Sequence, residues 1–168
     1  MNFIINGNLI LPILWILIQN LLFIFMGIWV LRWWKLLKEP LSGLECSQAL
    51  YGACLLFGVV IIANSSITAI YDTHLNYYQK GGEWVRWSLL SYSQYFLISL
   101  FAVSLLLCLS YLVLKIFFGF RKEGETIAGG NLPLSILMSG VVLGVTFGLS
   151  KLLEQVLQRL TPHFAIFN

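Results

Sequence analysis

Residues 46–71, CSQALYGACLLFGVVIIANSSITAIY, run without a single charged side chain. A bilayer core about 30 Å thick takes roughly 20 helical residues to cross, so this stretch is long enough to span one. Residues 1–31, 87–114 and 126–150 are equally free of charge. Of the 168 residues, 59% are hydrophobic and 10% charged, too few charges to coat a water-soluble fold. The sequence therefore predicts an all-α integral membrane protein, a single membrane domain over 1–168. Its four transmembrane helices are expected near residues 8–31, 47–70, 90–115 and 132–152. The first apolar run is too long for a signal-peptide core and lacks a small-x-small cleavage pattern, so it reads as a retained helix.

Charge placement orients the spans. Arg32, Lys35 and Lys38 follow the first span, and Lys115, Arg121 and Lys122 follow the third, six of the ten basic residues. The positive-inside rule puts those two connectors in the cytoplasm and both termini outside. Trp33 and Trp34, and the aromatic set from Tyr71 to Tyr95, read as interfacial belts. Lys80-Gly81-Gly82-Glu83 reads as a turn, and Asp72-Thr73-His74 as a solvated loop. Beyond the fourth span, residues 151–161 form an amphipathic pattern with Leu152, Leu153, Val156, Leu157 and Leu160 on one face. That tail is expected to extend the fourth span, bending along the outer interface, and to stop at Pro162.

Sliding the chain by 86 residues aligns Glu39 with Glu125, Gly43 with Gly129 and Gly58 with Gly144, with Ala49 and Ala53 falling on Ser135 and Ser139. This predicts a helix hairpin used twice, over 8–70 and 90–152. Each unit crosses twice, so the two tandem hairpins share one orientation.

The second copy, Glu125-Thr-Ile-Ala-Gly-Gly-Asn131 followed by Ser135-Ile136, Gly140 and Gly144, resembles the YjfL-like family of bacterial inner-membrane proteins. In that family a glutamate, a Gly-Asn pair and a small-residue helix recur in each of two tandem hairpins. In the first half of this chain Leu44-Glu45 stands where the Gly-Asn pair is expected. The resemblance implies a bacterial inner (plasma) membrane and links to envelope-stress or polyamine-related gene neighbourhoods. It brings no assigned activity.

Function is read chiefly from packing signals. Gly140, Gly144 and Gly148 form GxxxGxxxG, with a weaker counterpart in Ala49, Ala53 and Gly58. Small residues four apart let helices approach closely, and inside one molecule is the first place to expect that contact. Gln19, Asn20, Asn64 and Ser66 are polar groups within spans and would line any polar pathway. Arg32, Lys35, Lys38, Arg121, Lys122 and Glu125 offer a cytoplasmic docking surface. The leading expectation is a non-catalytic scaffold or accessory subunit, assembling with itself, with other membrane subunits or with a cytoplasmic protein. The alternative is a passive channel or carrier for a small solute.

No Asp, Glu or His lies in the span cores, which speaks against proton coupling. Three cysteines, Cys46, Cys54 and Cys108, give neither a disulfide framework nor a CxxC pair. His74 and His163 lack ligand spacing, and no hydrolase or phosphate-loop motif occurs, so no metal, cofactor or enzymatic role is expected. The scattered basic residues argue against nucleic acid as a partner.

Overall fold

A computed structural model describes residues 9–33, 46–80, 82–118 and 132–161. Five helices make it up: α1 (Ile10–Trp33), α2 (Cys46–Asn64), α3 (Ile67–Lys80), α4 (Trp84–Phe118) and α5 (Leu132–Leu160). Four helical stretches are long and apolar enough to cross a membrane: Ile10–Trp33, Cys46–Gln79, Trp84–Val113 and Leu132–Leu160. The two prolines among the described residues, Pro12 and Pro133, fall in first turns whose N–H groups have no intrahelical acceptor.

Side-chain contacts give the directions. Gln19 meets Ser66, and Leu31 lies over Gly52, so α1 and α2 run antiparallel. Ser47 meets Ser135, Gly58 abuts Thr146 and Ser65 meets Ser150, so α2 and α5 run parallel at a nearly constant register. His74 pairs with Tyr92 and Thr73 with Tyr95, closing α3 and α4 into an antiparallel hairpin. Its turn contains Gly82 at φ 71°, a left-handed conformation that a Cβ would strain.

The second span differs from expectation. It continues past residue 70 as helix to Lys80, interrupted only at Ser65–Ser66. There the Ser65 N–H is shared between the carbonyls of Ile61 and Ile62, each at 3.2 Å, and the Ser66 N–H turns to Ala63 at 3.4 Å. Ordinary i→i−4 bonding resumes with Ile70 to Ser66 at 3.0 Å. The Ser65 and Ser66 N–H groups thus reach nearer carbonyls, and the helix tightens at this point.

Asp72-Thr73-His74 is therefore helical, with Asp72 exposed but Thr73 and His74 buried, and the expected solvated loop is absent. The face of α3 that packs on α4 includes Thr73 and His74, which meet Tyr95 and Tyr92. Residues 151–160 continue α5 as the same helix, with Leu153 and Leu157 buried while Leu152, Val156 and Leu160 stay exposed. Together α3, the start of α4 and the end of α5 form a head at one end of the bundle, carrying exposed Asp72, Glu83, Arg86 and Lys151.

Candidate functional site

Helical glycines divide into two groups. A Cβ on Gly58 would lie 2.5 Å from Thr146 Oγ1, and one on Gly27 would lie 2.8 Å from Leu56 Cδ2. On Gly52 it would sit 3.6 Å from Leu31 Cδ1. These three are points where helices of the same molecule touch. Gly140, Gly144 and Gly148 meet nothing within 4 Å and are exposed. Gly144 lies two residues, about 200° around the helix, from buried Val142, on the face turned away from the bundle. Packing inside the monomer is thus found at Gly58 and not at the GxxxGxxxG stripe. Ala49 and Ala53 also face outward, on α2.

Of the four polar residues expected to line a pathway, two come together. Gln19 Nε2 donates to Ser66 Oγ at 2.8 Å and to the Ala63 carbonyl at 3.3 Å, and Ser66 Oγ donates to the same carbonyl at 2.9 Å. This amide thus supports the carbonyl beside the interruption in the second span. Asn20 bonds back to the Ile16 carbonyl at 2.9 Å, and Asn64 is exposed on the outer face of α2. Neither joins the Gln19–Ser66 pair. Beside it, Ser65 Oγ lies 2.7 Å from Ser150 Oγ, tying α2 to α5.

Toward the head the interior becomes aromatic and polar. Thr73 Oγ1 and the Tyr95 hydroxyl lie 2.7 Å apart, and His74 Nδ1 and the Tyr92 hydroxyl 3.1 Å apart. The His74 ring meets the edge of Trp84 at 5.4 Å and stacks with Tyr78 at 6.3 Å, while Trp15 leans on Tyr92 at 5.9 Å. The buried stripe on α4, Ser88, Tyr92, Tyr95 and Ser99, supplies this interior.

At the opposite end lies a second polar layer. Ser135 Oγ donates to the Ser47 carbonyl at 2.6 Å, joining the first turns of α5 and α2. Around that joint are Gln48, Tyr51, Ser110 and Ser139, all buried, and the Gln48 amide finds no hydrogen-bond partner at either atom. The Tyr51 hydroxyl faces Ser110 without forming a well-aligned bond, and the Ser139 hydroxyl is also unpaired. A buried polar group left unpaired costs about 1–3 kcal/mol. Between the two polar layers stand apolar side chains, Leu55, Val59, Leu106 and Val142, all fully or almost fully buried.

Sequence reading passed over this layer because Gln48 and Tyr51 begin a long apolar stretch. The i, i+3 spacing of Gln48 and Tyr51 and the i, i+4 spacing of Ser135 and Ser139 were the available signals. Of the expected docking surface, Arg32 is exposed at the end of α1, and Lys35, Lys38, Arg121, Lys122 and Glu125 lie outside the described residues. No group of His, Cys, Asp and Glu suited to a metal ion occurs among the described residues. The chain matches no protein-family model, no curated protein and no solved structure.

Proposed function

We propose that the chain is a non-catalytic, multi-pass membrane protein that works by assembly, as an oligomeric scaffold or as a subunit that carries others. The open glycine stripe on α5 carries this reading. In this chain, glycines inside helices otherwise mark close helix contacts, as at Gly27 and Gly58. In a helix interior each glycine costs about 1 kcal/mol relative to alanine, and a stripe facing only lipid returns nothing for it. Copies inserted in one orientation present identical faces to each other, so two α5 stripes meet about a twofold axis along the membrane normal.

The parallel α2–α5 pairing supports a tandem duplication. Its contacts join Ser47 to Ser135 and Ser65 to Ser150, close to the 86-residue repeat offset. In this reading both termini and the head are extracytoplasmic and the basic connectors form the cytoplasmic docking surface. The bacterial inner membrane is supported by the resemblance at 125–144 alone.

The test is the mass of the protein extracted directly into native-lipid particles. An oligomer that Gly144→Leu reduces to single copies supports the proposal, as does a defined complex with other subunits lost in that variant. A wild-type monomer, or assemblies indifferent to Gly144→Leu, refutes it.

A further inference from the structure

We infer that the bundle stands tilted in its bilayer with the head leaning over the α1 side, where the start of α1 and the adjoining part of α4 form a surface for lipid of the head-side leaflet. Exposed charges settle among headgroups rather than acyl chains, so on each face they mark where hydrocarbon ends. On α5 that mark is Lys151, paired with Glu154 at 2.8 Å. Its neighbour Ser150 meets Ser65, and Ser66 meets Gln19, so Lys151 stands level with the middle of α1. Beyond Gln19, α1 continues toward the head for nine residues, about 14 Å. The exposed side chains of that stretch, Ile10, Ile13, Leu14, Leu17 and Ile18, are all apolar. The neighbouring α4 agrees. Trp15 leans on Tyr92, and Arg86, the first charge of α4, lies six residues closer to the head, about 9 Å. Between Arg86 and Tyr92, Trp87 and Leu90 are exposed.

The opposite boundary slopes in the same sense. Arg32 follows Leu31, which lies over Gly52 of α2. Ser47, five residues farther from the head than Gly52, meets Ser135, and α5 runs three residues further to Leu132. Leu132, Ile136 and Leu137 are exposed there, so the apolar face of α5 passes the level of Arg32 by about 12 Å. The charge-free band is about 33 Å tall on α1, from Ile10 to Leu31, and about 28 Å on α5, from Leu132 to Ser150. Each matches one bilayer core, and the two are displaced along the bundle, which is the mark of tilt rather than of a thicker span. Both helices pack on α2, which sets their outer faces about 25 Å apart. An offset of about 13 Å over that width corresponds to a tilt of roughly 30°, within the range of membrane helices. Lipid is the occupant because this face continues the span surface of the same two helices with no charge between. The inference rests on the chain crossing a bilayer and is independent of assembly through α5.

The test uses the full chain in liposomes, with Cys46, Cys54 and Cys108 replaced by alanine. Single cysteines carry nitroxides, and EPR reads their collisions with oxygen, which concentrates in lipid, and with a nickel chelate, which stays in water. Ile13→Cys and Val156→Cys are matched in height, six residues beyond Gln19 and Ser150 respectively, and both positions are exposed. Oxygen should prevail at Ile13→Cys, and nickel collisions should be several-fold more frequent at Val156→Cys. Equal depths at the two sites, or the reverse order, would overturn the inference. So would shielding of Ile13→Cys from both reagents, the sign of a protein partner on α1. Phe25→Cys, exposed on α1 within the span, should lie in lipid at any tilt. Nickel access at that position would refute membrane insertion itself, and the tilt with it.

Discussion

Gly58 packs directly against Thr146, so closely that a Cβ on Gly58 would stand 2.5 Å from Thr146 Oγ1 and 3.3 Å from Leu106 Cδ2. Thr146 cannot swing aside freely, because it is buried and its hydroxyl donates to the Val142 carbonyl at 2.8 Å. Gly58→Ala should therefore destabilise the bundle by about 1–3 kcal/mol, the cost of overpacking a filled interior. Gly148→Ala, which adds the same methyl group in open space, should leave the isolated monomer as stable or more so. Unfolding midpoints of the two variants in a mixed-micelle titration would compare them, and equal losses would contradict the placement of Gly58.

The α5 face makes a geometric prediction about neighbours. With Cys46, Cys54 and Cys108 replaced by alanine, Gly144→Cys should give a disulfide-linked dimer on mild oxidation. Cα atoms across a twofold glycine contact fall within the roughly 7 Å that a disulfide can bridge. Thr146→Cys, buried two residues away, should give none. Cross-linking of both, or of neither, on non-reducing gels would argue against a specific α5 contact.

Thr73 and Tyr95 hold α3 to α4 through a buried 2.7 Å hydrogen bond. Removing one partner strands the other, so Thr73→Val and Tyr95→Phe should each cost about 1–3 kcal/mol. Together they should cost less than the sum, because the pair then vanishes without an orphan. Strict additivity in the double-mutant cycle would show that the hydroxyls do not interact.

Orientation can be read by labelling. In the cysteine-free background, Gln79→Cys and Gln158→Cys lie on exposed head positions and should react with an impermeant maleimide applied to intact cells. Arg32→Cys, at the other end of α1, should react only after permeabilisation. The reverse pattern would invert the topology.

The sequence made the four spans legible because the absence of charge over a bilayer's length leaves few alternatives. It also marked the α3–α4 turn, where Gly82 takes a positive φ. The extent of the second span was misjudged because Asp72, His74 and Asn76 lower the local hydropathy without breaking a helix. Thr73 and His74 are buried there by partners on α4, Tyr95 and Tyr92, which no local pattern announces. Spacing alone could say that Gly144 and Gly58 allow close approach. Which of them faces a neighbour within the molecule depends on how α2 and α5 are rotated, a property of the assembled bundle. Gln19 was readable as needing a partner, while Asn64 proved to face outward.

The interruption at Ser65–Ser66 has a mechanical consequence. Three rods connect the head to the rest of the bundle, and α4 and α5 run through this level unbroken. The α2–α3 rod alone is jointed, with Gln19 and Ser150 as the pins that hold its joint to α1 and α5. A sideways load on the head is therefore borne by two stiff struts, while the jointed rod yields first. Both struts continue past that level, α4 to Phe118 and α5 from Leu132, so displacement at the head is delivered, as by a lever, to the far end of the molecule.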